Sequence, residues 1–265
     1  MAMTSNAIPQ FNFKGRRSPL TLTITILVVL SGVLLSLSGF YADWLWFKSV
    51  AFTSVWTTVL TTKVFLFVIA GLLTSSIILL NIIIAYKRRP LYVPLSIEAD
   101  NLERYRAQIE PIKRWVVLAL AVGLFYFAGT SGSVLWKSWL LFKNSTSFGV
   151  KDPQFNMDIS FFAFKLPFYQ TMIAWAISTF VLSIIAAAVV HYLYGGIRLQ
   201  VREDRTTVAA RVQLSVLLGG VVLMKAVAYW FDRYQLALKE SKLITGLTYT
   251  DVNATLPAKA ILAAI

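Results

Sequence analysis

Lys225 is the only charged residue between Arg211 and Asp232, in a stretch that is otherwise almost entirely apolar. Its amine can bind an anion, pair with a carboxylate or contact a lipid headgroup. Tyr229 and Asp232 follow at the fourth and seventh positions, share its face of a helix, and are followed by Arg233. A lysine at the centre of a membrane-spanning helix costs ~2.5–3.5 kcal/mol without partners. Two interpretations are open: a structural polar contact between helices, or a path for an ion, a substrate or a lipid headgroup.

Three acidic residues lie in predicted loops outside the apolar stretches. Asp43, Asp152 and Asp158 can support acid–base chemistry on a lipid or cell-wall precursor only if the fold brings their carboxylates together. The sequence has no cysteine and one histidine, His191, which leaves too few ligands for a zinc-type site. His191 fits a polar cap at a membrane interface or a proton shuttle. The residues therefore predict no catalytic, cofactor-binding or metal-binding set.

The elements that position these residues follow from the distribution of charge. Apolar residues make up 57% of the 265 residues and charged residues only 14%, against about a quarter in soluble domains. Because about 20 residues of helix cross a hydrocarbon core of about 30 Å, long charge-free runs indicate membrane spans. We predict an all-α, polytopic transmembrane helical bundle with spans near residues 20–40, 64–85, 115–135, 168–194 and 212–231.

Basic residues predict the orientation of these spans. Fourteen lysines and arginines fall on the side of the N-terminus and eight on the other side. Because basic residues are retained in the cytoplasm, the N-terminus and a tail over residues 1–18 are predicted to lie on the cytoplasmic side of the cell membrane. The net charge of +13 is scattered over separate loops, so the predicted partner is the lipid bilayer and not nucleic acid. An envelope or membrane protein partner is a further expectation, and the oligomeric state is left open.

Two connections are predicted to have structure of their own. Residues 96–112 read as an amphipathic cytoplasmic helix, with Ser96 as its cap. Residues 136–167 form an aromatic-rich outer loop, which we expect to pack on the rim of the bundle as short helices and turns, because irregular backbone cannot lie in lipid. Small residues four apart indicate close helix packing. They are Gly32/Ser36, Gly71/Ser75, Ala119/Gly123 and Ser215/Gly219.

Several motifs occur together in one order along the chain. They are Tyr41-Ala42-Asp43-Trp44, Arg88-Arg89-Pro90, Phe148-Gly149-Val150-Lys151-Asp152-Pro153, Asp232-Arg233-Tyr234, and Tyr249-Thr250-Asp251-Val252-Asn253-Ala254 with Leu256-Pro257-Ala258. The sequence thereby resembles uncharacterised protein family zero-one-eight-two, large polytopic membrane proteins of actinobacteria and cyanobacteria.

The resemblance implies seven N-terminal spans followed by a large extracytoplasmic region, and it supplies no catalytic residues. Leu256-Pro257-Ala258 reads as the start of a sixth span, and only six residues follow Lys259, so we expect the chain to be truncated. The sequence is compatible with three functions. The first is an envelope structural, assembly or anchoring component; the second is a transporter or channel subunit that uses Lys225; the third is a membrane enzyme on lipid or cell-wall precursors.

Overall fold

The computed structural model describes residues 19–90, 97–199, 205–240 and 245–265, and the predicted tail over residues 1–18 lies outside them. The regular structure within these residues is helical, and no β-strand is found there beyond isolated bridges. The predicted all-α class is therefore confirmed. The α-helices are α1 (Pro19–Ser49), α2 (Thr53–Lys87), α3 (Ile97–Ile109), α4 (Lys113–Ser133), α5 (Trp136–Lys143), α6 (Leu166–Leu193), α7 (Val208–Gln235) and α8 (Leu256–Ala264).

Five of the described helical segments are long and apolar enough to cross a membrane. They are Leu22–Ser49, Thr53–Lys87, Leu102–Ser133, Phe161–Leu193 and Val208–Leu238. Several extend past the predicted spans, since a helix need not stop where its charge-free stretch stops. The orientation of the N-terminus stays a prediction.

The chain divides into two compact units, Met1–Thr58 and Val59–Ile265. In the first unit, α1 ends at a turn in which Ala51 has a φ of 60° and the amide of Phe52 donates to the carbonyl of Phe47 at 2.9 Å. The edge of the Trp56 ring meets the Phe40 ring at 4.9 Å between centroids. The turn reverses the chain and starts α2.

In the second unit, α6 packs along α7, and both meet α2. Ala85, Ala187 and Leu217 form the buried centre of this contact. The helices approach closely because Gly220 leaves room for a ring: a Cβ there would lie 2.6 Å from an atom of Phe180. The packing of the Phe180 ring of α6 against α7 thus depends on the absence of a side chain at Gly220.

The contact between α2 and α4 depends on three glycines. A Cβ on Gly71 would lie 2.8 Å from Phe125, one on Gly129 would lie 2.8 Å from Phe67, and one on Gly132 would lie 2.4 Å from the Cβ of Ala70. Of the predicted small residues, Gly71 is at this interface, whereas a Cβ on Gly123 or Gly219 would meet no described residue within 4 Å. Spacing alone did not show which face of each helix is turned to its neighbour.

The C-terminal ends of α4 and α7 lie at one end of the second unit, which we call the loop end. Two π-turns lie there, Phe161–Lys165 and Asp251–Thr255. Each is followed by Leu-Pro at the start of an α-helix, and proline, which cannot donate a helical hydrogen bond, is tolerated there because the preceding turn already interrupts the regular α-helical pattern. An isolated antiparallel bridge precedes each turn, Lys151 with Asp158 and Glu240 with Thr245. The same backbone arrangement therefore occurs twice, 90 residues apart by the numbering of the two turns.

We call the opposite end, at which α2 and α6 finish, the α3 end. The helix predicted over residues 96–112 is observed as α3 followed by a 3₁₀ turn, Glu110–Ile112, that leads into α4. The predicted cap, Ser96, lies outside the described residues.

Candidate functional site

Lys225 lies near the middle of α7, and its side chain is exposed. It has no hydrogen bond and no ion pair with any residue that the structure describes. Asp232, the expected neighbour on its face, is instead 3.8 Å from the amine of Lys259 on α8. The structural contact expected of Lys225 is thus not made within this part of the chain, and its role stays a prediction.

The residues after Lys225 are held at the loop end. Tyr229 is half-buried, and the Arg233 guanidinium lies 4.2 Å from the centroid of the Trp230 ring. The Nε atom of Arg233 is buried without a hydrogen-bond partner among the described residues. Lys259 also donates to the carbonyl of Asp232, at 3.3 Å, so the end of α7 is tied to the start of α8.

Asp158 organises the first loop of the loop end. Its carboxylate accepts from the hydroxyl of Ser147 and from the amides of Phe148 at 3.1 Å, Gly149 at 3.0 Å and Ser160 at 2.8 Å. These donors, the Ser147 hydroxyl first among them, hold the pKa of Asp158 well below its ordinary value. A carboxylate with these bonds is a structural clamp for the loop rather than a general base.

Asp152 has its own hydrogen bonds in the same loop, and the acid–base role expected of these carboxylates together with Asp43 stays a prediction. The Oδ1 atom of Asp152 accepts from the amides of Gln154 at 3.0 Å and Phe155 at 2.8 Å, which closes a local turn. Asp43 lies in the last turns of α1, in the first unit. Within the described residues no three histidine, aspartate or glutamate side chains are placed to hold a metal ion.

Asp251 repeats the role of Asp158 in the second π-turn, and sequence reasoning quoted it only as part of a motif. Its side chain is buried, accepts from the hydroxyl of Thr248 at 2.7 Å, and is 3.2 Å from the amine of Lys239. The Thr248 hydroxyl and amide, with Lys239, lower the pKa of Asp251 to about 2. Both loops of the loop end are therefore closed by an ionised aspartate.

An aromatic cluster covers the loop end between α5, the first π-turn, α6 and α7. Phe142 stacks on Phe168 at 4.3 Å between centroids, and the edge of Tyr234 meets Phe155 at 5.0 Å and Phe161 at 5.4 Å. The members are Phe142, Phe155, Phe161, Phe162, Phe168, Tyr169, Phe231 and Tyr234. Such ring contacts contribute about 0.5–1.5 kcal/mol per pair beyond burial, so the loop over residues 136–167 is packed structure.

His191 belongs to a buried polar chain near the α3 end. Its Nε2 is 3.0 Å from Oε1 of Gln213 on α7, and the Gln213 amide donates at 2.9 Å to the carbonyl of Asn81 on α2. Its Nδ1 faces Gly196, where a Cβ would lie 2.9 Å away. His191 is therefore buried and hydrogen-bonded inside the helix packing, and its role stays a prediction.

A cavity of about 360 Å³ lies at the α3 end, beside the ends of α2 and α6. Arg89, Arg106 and Tyr194 line it. Sequence reasoning missed this site, although Arg89 was part of a motif and Arg106 was counted among the basic residues. Arg89 lies between the second predicted span and the predicted helix over residues 96–112, and Arg106 lies within that helix, so no sequence pattern joined the two.

In the part of the chain that the structure describes, the fold is all-helical, five segments are fit to cross a membrane, and ordered polar structure lies at both ends of the second unit. The sequence profile described as Uncharacterised protein family (UPF0182) matches residues 20–265, and the chain belongs to that family. The resemblance drawn from the motifs is thus confirmed.

Relatives in three actinobacterial genera carry the family name. The UPF0182 protein SCO5204 of Streptomyces coelicolor is 46% identical over 248 residues, which are 92% of this chain and 25% of the relative. A UPF0182 protein of a Nocardioides species is 44% identical over 95% of this chain and 25% of its own length. One from Rhodococcus erythropolis is 42% identical over 95% of this chain and 26% of its own length. The chain spans about a quarter of the length of these relatives. No solved structure gives a significant match.

Proposed function

We propose that this chain is the multi-pass part of a cell-membrane protein that anchors or assembles an envelope component, with its N-terminus inside and its loop end outside. The observation that carries the proposal is the order of the loop end. Asp158 and Asp251 close two loops, and the aromatic cluster joins the first of them to α5, α6 and α7. A preformed surface of this kind costs little ordering entropy when a partner binds.

The first loop also offers apolar side chains to a partner. Phe148 is 51% exposed and Val150 is 56% exposed, next to the bonds made by Asp158. Apolar side chains on a rigid, polar-rimmed loop are typical of protein contact sites. We therefore take an extracytoplasmic protein segment as the partner, either from the same polypeptide or from another envelope protein.

The orientation in this proposal follows from the basic residues. Arg88, Arg89, Arg104 and Arg114 lie at the α3 end, where the retention of positive charge in the cytoplasm places them inside. The loop end then faces outward. This assignment supports an anchoring function because the ordered surface lies on the side of the envelope.

Site-specific photocrosslinking in intact cells tests the proposal. Benzoylphenylalanine at Val150 should yield a discrete protein adduct, because the position is exposed on the loop. The matched control places the same group at Val216, which is 68% exposed on an apolar stretch of α7 and should meet lipid. Equal adduct patterns at the two positions, or none at Val150, would reject the loop end as an anchoring surface.

A second candidate function is that of a transporter or channel subunit, and Lys225 is the observation that favours it. A charged amine in the middle of an apolar helix, exposed and without a described partner, is costly unless it serves a ligand or a further helix. The enzyme hypothesis has less support, because the carboxylates of Asp152 and Asp158 both accept hydrogen bonds from amides of the loop that carries them.

A further inference from the structure

The cavity at the α3 end combines positive charge, aromatic walls and an unused donor. Arg89 follows α2, Arg106 belongs to α3, and Tyr194 follows α6, so three separate parts of the chain meet there. Its volume of about 360 Å³ falls in the ~300–1,000 Å³ range of small-ligand sites. The anchoring surface at the loop end makes no use of this cavity.

The two guanidinium groups are held by their surroundings. Arg89 lies 4.2 Å from the centroid of Tyr86 and 5.4 Å from that of Tyr194, and Arg106 lies 5.6 Å from that of Tyr194. The Nε of Arg106 donates to the carbonyl of Leu193, the last residue of α6. The ring contacts and this hydrogen bond orient both guanidinium groups before any ligand binds.

The fixed Arg106 side chain has a donor left over. Its Nη2 atom is buried and has no hydrogen-bond partner among the described residues. A buried donor without an acceptor is unfavourable, and more so when it is charged. An acceptor that enters the cavity would remove this cost.

The acidic residues of the cavity leave its charge positive. Glu110 forms an ion pair with Lys113 and is 3.4 Å from the hydroxyl of Tyr86, so its charge is compensated within the wall. Glu103, which is exposed, is the other carboxylate at the cavity. Two arginines against one uncompensated glutamate favour an anion with several acceptor oxygens.

We propose that this cavity binds a phosphate group between Arg89 and Arg106. Guanidinium forks match phosphate oxygens in geometry and charge, and the spare Nη2 of Arg106 supplies a donor that the protein itself does not use. The cavity lies where apolar α2 and α6 end, at the depth of lipid headgroups if these helices span the membrane. The phosphate can thus come from a phospholipid headgroup or from free phosphate.

The experiment compares the purified wild-type chain with Arg106→Gln, Arg89→Gln and the matched control Arg104→Gln. Arg104 lies on the same helix, is exposed and does not line the cavity, so its substitution removes the same charge without touching the site. If Arg106→Gln fails to fold, Arg89→Gln takes its place, because Arg89 is exposed. One arm measures retention of phosphatidylglycerol, against phosphatidylcholine, by native mass spectrometry. The other measures the rise in Tm with inorganic phosphate.

For a headgroup site, wild type and Arg104→Gln should retain phosphatidylglycerol about tenfold better than the Arg89 and Arg106 variants, while inorganic phosphate has little effect. For a free-phosphate site, inorganic phosphate should raise the Tm of wild type and Arg104→Gln only, without selective lipid retention. Selective binding of the choline lipid, or equal behaviour of all four proteins in both arms, would overturn the proposal. The result does not depend on crosslinking at Val150, so this proposal and the anchoring function can fail separately.

Discussion

The side-chain amide of Gln213 donates at 2.9 Å to the backbone carbonyl of Asn81, which joins α7 to α2 inside the apolar packing. Gln213 is also hydrogen-bonded to His191 of α6, so its side chain connects three helices. We expect Gln213→Leu to lower the free energy of unfolding by about 1–3 kcal/mol, because it leaves buried polar groups unsatisfied. Thermal unfolding in detergent measures the loss. Gln235→Leu, at the exposed end of the same helix, is the control and should change little; an equal loss in both variants would contradict this role.

Glycines at the interface of α2 and α4 give a second prediction. Gly132→Ala should destabilise the protein by about 1–3 kcal/mol, because its Cβ would lie 2.4 Å from the Cβ of Ala70. Gly123→Ala on the same helix meets no described residue within 4 Å and should be neutral or stabilise by up to about 1 kcal/mol. Comparison of the two Tm values tests the packing. A Gly132→Ala protein as stable as Gly123→Ala would show that the helices are farther apart.

The ionised Asp251 makes stability depend on pH in a defined direction. Its folded pKa, about 2, lies below the ordinary value of 3.8, so its contribution is fully present above about pH 4. That contribution is lost as the pH falls from about 4 towards 2. Asp251→Asn should therefore lower the Tm at pH 6 and reduce its dependence on pH between 4 and 2, with Asp158 left to supply the remaining slope. Parallel Tm curves for the two proteins would disprove the assignment.

Lys225→Met separates the structural and transport interpretations. We expect the structural result: stability in detergent holds or rises, because Asp232 keeps Lys259 as its partner and an exposed amine on an apolar helix is removed. The full-length variant should complement a deletion strain. Lys143→Met, at an exposed lysine at the end of α5, controls for loss of a positive charge. Failed complementation with unchanged stability and abundance would favour transport.

Single cysteines test the orientation, since the chain has none of its own. Gln154→Cys and Thr245→Cys lie at exposed positions of the loop end, and Gln108→Cys lies on α3. An impermeant thiol reagent should label the first two in intact cells and Gln108→Cys only after lysis. Labelling of Gln108→Cys alone would reverse the assignment.

The helical class and the five apolar segments were predictable because a charge-free stretch of about 20 residues is by itself the mark of a helix long and apolar enough to cross a membrane. Rotation of each helix about its axis was not, which is why Gly129, Gly132 and Gly220 were missed while Gly123 and Gly219 were named. The role of Asp158 depends on the amides of Phe148 and Gly149, which loop closure brings to its carboxylate. The role of Arg106 in the cavity depends on the position of α3 beside the end of α6. Such relationships involve residues distant in sequence, and no local pattern records them.

The two π-turns set the angular register between each loop and the helix that follows it. In each, the amide of the leucine before proline donates to a carbonyl five residues back: Leu166 to Phe161, and Leu256 to Asp251. Each turn therefore holds one residue more than an α-helix would. Because one residue corresponds to about 100° of helical rotation, deletion of Ala163 would swing the clamp at Asp158 about 100° around the axis of α6. The extra residue rotates the first loop about the axis of α6 so that the loop faces Tyr234 on α7. With α-helical geometry alone, the loop would face another direction.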